Sequence, residues 1–238
     1  MTWREGLLLL IEVMGVVAVT LLLTLSPRFR HPPLVFRYPR REGGIGLMLF
    51  GLTLAGAFLY LHTTGTTPFP PLTAQINVMG MALLLYLGAL VARGQPLRSA
   101  GWGRATLLPA LQLGLGLVFI TLFLRGQFSH LLRGISPEQG QALLLSLLLA
   151  AGEESIFRGY LLPRWSAWLG SRAGLVVNGL AFALWRLPWV LAAPVATLGI
   201  TLGIAFVQGL LLGWIMQKSD HVLAGALYRG FSDWLRTL

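Results

Sequence analysis

Long apolar runs separated by short polar segments make up the whole chain. Runs of about 20 apolar residues, enough to cross a bilayer as an α-helix, recur from one end to the other. They lie at about 6–25, 43–62, 74–92, 105–124, 141–162, 173–193 and 195–217, with a shorter run at 222–236. The pattern predicts an all-α fold, a polytopic membrane helical bundle of about eight transmembrane helices. We expect residues 1–238 to form one integral membrane domain.

Two polar segments between these runs have clear local signals. Thr63 to Pro71 (TTGTTPFPP) contains three prolines, which remove backbone donors and prevent a helix from continuing. Ser136-Pro137-Glu138-Gln139 has the order of a helix start, with Ser as the N-cap, Pro at the first position and Gln at the third. A helix is therefore predicted to begin at Pro137.

Composition supports lipid as the surrounding medium. Only 11% of the residues are charged and 55% are hydrophobic, whereas soluble domains contain about 25% charged residues. The net charge of +10 could indicate nucleic-acid binding, but the basic residues lie mostly in short loops between apolar runs. This placement is typical of orientation signals, so no nucleic-acid partner is predicted. The chain has no cysteine, which excludes disulfides and thiolate chemistry.

Loop charges predict the orientation. With the N-terminus outside, the inward loops contain Arg28, Arg30, Arg37, Arg40, Arg41, Arg93, Arg98, Arg104, Arg164, Arg172 and Lys218. The outward segments contain only Arg4, Arg125, Arg133 and Arg236. The positive-inside rule therefore predicts an external N-terminus in a plasma or other inner membrane. The C-terminus would lie inside if the last run does not span.

The densest group of ionisable residues within an apolar run is Glu153, Glu154 and Arg158. Each costs at least about 2.5–3.5 kcal/mol to insert, so each needs a partner or a function. On an α-helix, Glu154 and Arg158 share a face, whereas Glu153 points about 100° away and needs a partner from another helix. Alternatively, this is a helix end whose charges pair locally at the interface.

These residues carry a family resemblance. Glu153-Glu154-x-x-x-Arg158, continued as Gly-Tyr-Leu-Leu-Pro-Arg, resembles the first motif of the CAAX prenyl protease and bacteriocin-processing (CPBP, or Abi) family of intramembrane proteases. Asn178 to Trp185 and Gly209 to Trp214 resemble the approaches to the second and third motifs, so the motif region covers about 141–233. The resemblance implies a CPBP-like core and an endopeptidase in which the first glutamate and a second-motif histidine activate water. A third-motif histidine and asparagine would stabilise the oxyanion.

Three motif positions depart from the family pattern. Arg186 stands at the second-motif histidine position, Gly225 at the third-motif histidine position and Arg229 at the asparagine position. Arginine stays protonated and cannot act as a general base or metal ligand. His221, one turn before Gly225, is a possible substitute, although its boundary position is typical of a solvated loop residue. No histidine spacing indicates a metal site, and no cofactor is predicted.

The substitutions suggest a different electrostatic arrangement. Arg158, Arg186 and Arg229 could pair with the two glutamates and form a network that ties three helices together. In the alternative interpretation, Arg229 pairs with Asp233 or with lipid headgroups.

Other polar and aromatic residues are expected to be structural. Glu12 would pair within the bundle or reach the interface. Interhelical hydrogen bonds are expected for Gln75, Gln112, Asn178 and Gln208, and interfacial anchoring for Trp165, Trp168, Trp185, Trp189 and Trp234.

Three functions remain open from the sequence. The favoured one is a catalytically degenerate member that acts as accessory subunit, scaffold or assembly factor for a membrane-protein partner in the lipid bilayer. The second is an active endopeptidase that uses Glu153. The third is a protein that binds or transports a lipid or an anionic small molecule.

Overall fold

The computed structural model describes residues 3–29, 34–64, 72–191 and 193–238, without the side chains of 3–9 and 130. Over these ranges the chain is helical and contains no strand, as the apolar pattern predicts. The α-helices are α1 (Trp3–Thr24), α2 (Pro39–Thr63), α3 (Leu72–Ala92), α4 (Leu107–Leu124), α5 (Phe128–Leu132), α6 (Pro137–Glu154), α7 (Leu162–Leu169), α8 (Ser171–Leu184), α9 (Leu187–Val190), α10 (Val195–Ser219) and α11 (Val222–Trp234). Most of the predicted break from Thr63 to Pro71 lies outside the described residues. On its two sides, α2 ends at Thr63 and α3 begins at Leu72.

Six described helical segments are long and apolar enough to cross a membrane. They are Pro39–Thr63, Leu72–Ala92, Arg104–Leu124, Pro137–Leu169, Ser171–Val190 and Val195–Ser219. Within α1, the part described with its side chains, Leu10–Thr24, is also an apolar helix. With 13 residues, α11 measures only about 20 Å and is too short for a 30 Å hydrocarbon core. The chain is thus a polytopic helical membrane protein, whereas its orientation stays a prediction.

The helix that begins at Pro137 starts as predicted. The Ser136 backbone N–H donates to Gln139 Oε1 at 3.0 Å, and the Gln139 N–H donates to Ser136 Oγ at 3.3 Å. This reciprocal pair is a capping box, which satisfies two donors that the first helical turn leaves without partners.

The end of this helix differs from the prediction. After α6 the chain forms a π-helical segment, Ser155–Leu161, and continues directly into α7. The predicted apolar run ends at about 162, just before Pro163, and Arg164 was assigned to the inward loop that follows. In membrane helices, a local π adjustment can accommodate such a proline. The segment from Pro137 to Leu169 is therefore one 33-residue helical stretch.

Contacts divide the chain into two compact units. Unit 1 comprises Met1–Pro32, Gly103–Glu154 and Ile215–Leu238, and in it α11 packs against both α6 and α4 while α1 packs against α4. Unit 2 comprises Pro33–Trp102 and Ser155–Trp214, and in it α7 packs against α2 and α8 while α2 packs against α3. The expected single domain over 1–238 stays a prediction.

Three of the tryptophans expected at the interface are buried instead. Trp165, Trp185 and Trp234 are each at most 1% exposed. Trp234 packs in the core of unit 1 with Val118 and Leu122, and its indole donates to the Gln139 carbonyl at 2.9 Å. Trp165 donates to the Gly43 carbonyl at 3.2 Å within unit 2. A buried indole needs such an acceptor, so these residues serve packing rather than anchoring.

Two glycines allow α11 to approach its neighbours closely. A Cβ on Gly230 would lie 2.9 Å from the Cα of Leu147 in α6. A Cβ on Gly114 of α4 would lie 3.2 Å from the Cα of Ala224 in α11. Because both clashes involve backbone atoms, neither can be relieved by a side-chain rotation.

Replacing Gly230 with alanine is expected to lower the stability of unit 1. Overpacking of this kind costs about 1–3 kcal/mol. Thermal unfolding in a mild detergent should show a lower melting temperature. Gly140→Ala is the matched control, because no atom lies within 4 Å of the added Cβ and alanine favours a helix. Equal melting temperatures for the two variants would contradict the close approach of α11 and α6.

Candidate functional site

The first-motif glutamates are the last two residues of α6. Glu153 and Glu154 are 7% and 0% exposed, so both carboxyl groups are buried. The α-helical angle that placed Arg158 on the face of Glu154 does not apply beyond this point, because Arg158 lies in the π segment. Such segments are frequent at functional sites, where they alter the direction of side chains.

Arg229 brings positive charge to both glutamates within unit 1. Its Nη1 forms an ion pair with Glu153 Oε2 and lies 3.7 Å from Glu154 Oε1. Its Nε lies 3.4 Å from Asp233 Oδ2, and Arg236 lies 3.8 Å from the same carboxyl group. The expectation that Glu153 finds its partner on another helix is confirmed. Both proposed partners of Arg229, the glutamates and Asp233, are present.

The adjacent residues of α11 form a second buried polar cluster. Arg125 donates to both carboxylate oxygens of Glu12 at 2.9 Å, and also to the Ser232 carbonyl at 2.8 Å. The Tyr228 hydroxyl donates to Glu12 Oε1 at 3.4 Å. Pairing within the bundle therefore accounts for Glu12, as expected. Ion pairs of Arg229 therefore join α11 to α6, and hydrogen bonds of Tyr228 and Ser232 join it to α1 and to the end of α4.

Arg158 and Arg186 lie in unit 2, where both contact the same aromatic ring. The guanidinium carbon of Arg158 is 4.0 Å from the ring centroid of Phe182, and that of Arg186 is 4.9 Å from it. Arg158 is fully buried, and the side chain of Asn178 donates to the Phe157 carbonyl at 2.6 Å beside it. The interhelical role expected for Asn178 is confirmed. Participation of Arg158 and Arg186 in the predicted ion-pair network stays a prediction.

An Arg186→Ala variant tests this part of the network. Loss of the cation–π contact alone is expected to cost about 0.5–2 kcal/mol. Participation in a buried ion-pair network should raise the cost to about 3–5 kcal/mol. The size of the fall in the detergent melting temperature of Arg186→Ala distinguishes the two cases. An unchanged melting temperature in Arg186→Ala would contradict both.

His221 is buried rather than solvated, so that expectation is wrong. It is 1% exposed, and its Nδ1 accepts a hydrogen bond from the Leu223 N–H at 3.0 Å, which caps α11. Burial lowers the pKa of His221 to about 4, so its imidazole is neutral at neutral pH. A general base is most efficient when its pKa lies near the working pH. His221 thus has a structural role as the cap of α11, and this role accounts for the residue without a part in catalysis.

The donor set of unit 1 does not fit a metal ion. The described residues contain no group of three or more His, Asp or Glu side chains placed to hold one. Gly225, buried on α11, has no side chain to donate, and the charge beside Glu153 and Glu154 comes from Arg229. A guanidinium has only donors and cannot ligate a metal.

A third polar cluster, in unit 2, was missed by the sequence analysis. Arg164 was assigned to an inward loop, but it is fully buried in α7. It donates to Glu42 Oε2 at 3.2 Å and to the carbonyls of Ser99 and Tyr160 at 3.0 and 2.8 Å. Arg93 also pairs with Glu42. Two sequence signals were present: Glu42 is an acidic residue at the start of an apolar run, and Arg164 is the last residue of the first-motif continuation.

The fold and the buried glutamate pair define a helical integral membrane protein with polar clusters inside its helix packing. Residues 137–235, from α6 to α11, match the family model for type II CAAX prenyl endopeptidase Rce1-like proteins. The match agrees with the family resemblance that the first motif indicated, and it covers about two fifths of the chain. Comparisons with curated proteins and with solved structures found no match.

Proposed function

We propose that this protein is a non-catalytic CPBP-family membrane protein that acts as an accessory subunit, scaffold or assembly factor for a membrane-protein partner. The observation that carries the proposal is the position of Arg229. At the place of a neutral asparagine in the family pattern, it presents a guanidinium to Glu153 and Glu154. A carboxylate that is ion-paired in this way binds a fixed cation and does not activate a water molecule for attack.

The chemistry of the surrounding residues supports the same conclusion. Peptide hydrolysis needs a group that accepts a proton from water and donors aimed at the developing oxyanion. Arg229 accepts no proton, Gly225 has no side chain, and His221 is a weak base engaged as a helix cap. An anion-binding function would need Arg229 to be available to a ligand, but it already contacts three carboxylates.

Purification from native membranes in a gentle detergent tests the proposal. We expect a membrane-protein partner that co-migrates at constant stoichiometry with both the wild type and Glu153→Gln. Glutamine keeps the size of the side chain and hydrogen-bonding capacity toward Arg229, so loss of the partner through unfolding is minimised. Arg236→Gln, at an exposed pair near the same site, is the matched control.

A protease would give the opposite result. Membrane peptides would accumulate in cells that express Glu153→Gln but not in cells that express Arg236→Gln, and no stoichiometric partner would be retained. That outcome would overturn the binding role and make this chain an endopeptidase with an unusual proton acceptor.

A further inference from the structure

A small cleft in unit 2 lies apart from the buried glutamates. It has a volume of about 260 Å³ and is bounded by α3, by the turn Leu97–Ala100 with Trp102, and by the π segment. Its walls are mostly apolar and include four leucine side chains. Sites for whole small molecules usually measure about 300–1,000 Å³, so this cleft suits part of a ligand, such as a hydrocarbon chain.

The polar groups in the walls of the cleft bond to protein atoms. The Trp102 indole donates to Ser155 Oγ at 3.1 Å, which joins the turn to the π segment. The Tyr160 hydroxyl accepts from Arg93 Nη1 at 3.4 Å. What these walls offer to a ligand is therefore mainly apolar surface.

Basic residues lie beside two of the residues that line this apolar cleft. Arg98 is exposed in the same turn whose Leu97 and Ala100 line the cleft. Arg93 contacts the lining residue Tyr160, and Arg164 lies over the ring of Tyr160 at 3.6 Å. Glu42 is the carboxylate shared by Arg93 and Arg164, so positive charge is in excess. Basic residues beside a bilayer attract anionic lipids, by about a factor of five each.

From these observations we propose that the cleft binds one acyl chain of an anionic phospholipid, whose phosphate group lies at Arg98. Hydrocarbon fills the leucine-lined space, and the excess positive charge selects the anionic headgroup over a neutral one. The proposal is independent of the function proposed above, since neither Glu153 nor Arg229 takes part.

A second cleft supplies an internal control. It lies between α2 and α3, has a volume of about 420 Å³, and is lined by residues that include Leu59 and Gly56. Neither cleft has a basic side chain in its lining, but no Arg or Lys is adjacent in sequence to a lining residue of this one, whereas Arg98 follows Leu97 in the first. A hydrocarbon chain could enter it, but nothing in its lining distinguishes anionic from neutral lipids. Filling this cleft should therefore leave headgroup selectivity unchanged.

The test is competitive lipid binding to the full-length protein in a neutral detergent. Phosphatidylglycerol and phosphatidylcholine with identical acyl chains are added in equal amounts, and the first bound lipid is identified by native mass spectrometry. We expect an anionic preference of about fivefold. Arg98→Gln should remove most of this preference, and Leu87→Phe, which fills the cleft, should reduce it as well.

Matched variants identify the source of any selectivity. Arg172→Gln removes another exposed arginine of unit 2, and Leu59→Phe fills the uncharged cleft; both should keep the wild-type preference. Equal binding of the two lipids by the wild type would overturn the proposal. So would a preference that survives in Arg98→Gln, or one that is lost equally in Arg172→Gln, because either would indicate non-specific attraction by net charge. Arg98→Gln changes only an exposed side chain, so its result does not depend on refolding of the cleft.

Discussion

Arg229→Met should lower the melting temperature in mild detergent by roughly 10 °C. The variant leaves the carboxyl groups of Glu153 and Glu154 buried without their shared cation. Removing one partner of a buried ion pair costs about 3–5 kcal/mol, and 1 kcal/mol corresponds to about 2–4 °C for a chain of this size. Methionine retains most of the apolar volume, so the loss measures charge rather than packing.

Arg236→Met is the matched control on the same side of unit 1. Arg236 is 57% exposed and lies 3.8 Å from Asp233, so its ion pair should contribute at most about 1 kcal/mol. A double-mutant cycle between Glu153→Gln and Arg229→Gln then isolates the pairwise term, which should be about 0.5–3 kcal/mol. If Arg229→Met and Arg236→Met have the same melting temperature, the buried network does not hold α11 to α6.

The parts of this structure that local sequence determines could be predicted. The capping box at Ser136 and Gln139 involves residues three positions apart, so its pattern is visible in four letters. The all-helical fold follows from apolar runs of spanning length, and the first motif indicated the family whose model residues 137–235 match. Adjacent buried glutamates also required a partner from another helix, which Arg229 provides.

Features that depend on distant residues could not be predicted in the same way. His221 was expected to be a solvated loop residue, because its burial depends on packing that the neighbouring sequence does not show. The predicted apolar run ended at about 162, whereas the π segment Ser155–Leu161 continues directly into α7. Gly230 resembles any helical glycine until the backbone of Leu147 is placed beside it. In each case the outcome depends on a residue from another element or on an unusual backbone geometry.

Arg164→Met is expected to destabilise unit 2 about as strongly as Arg229→Met destabilises unit 1. Arg164 is the shared donor to Glu42, to the Ser99 and Tyr160 carbonyls and to Gln95. Each buried acceptor that loses its donor costs about 1–3 kcal/mol, although Glu42 retains Arg93. The expected fall in melting temperature is again roughly 10 °C.

Arg164→Lys separates charge from geometry. Lysine keeps the positive charge, but its single ammonium cannot reproduce the planar fork that reaches acceptors on both sides of the guanidinium. Its melting temperature should therefore lie between those of Arg164→Met and the wild type. The control is Arg172→Met, at an exposed arginine of the same unit, whose free energy of unfolding should stay within about 0.5 kcal/mol of that of the wild type. A lysine variant as stable as the wild type would mean that charge alone is needed at this position. The hydrogen bonds to Ser99 and Tyr160 would then contribute little, and the continuous helix from Pro137 to Leu169 would owe its stability to packing.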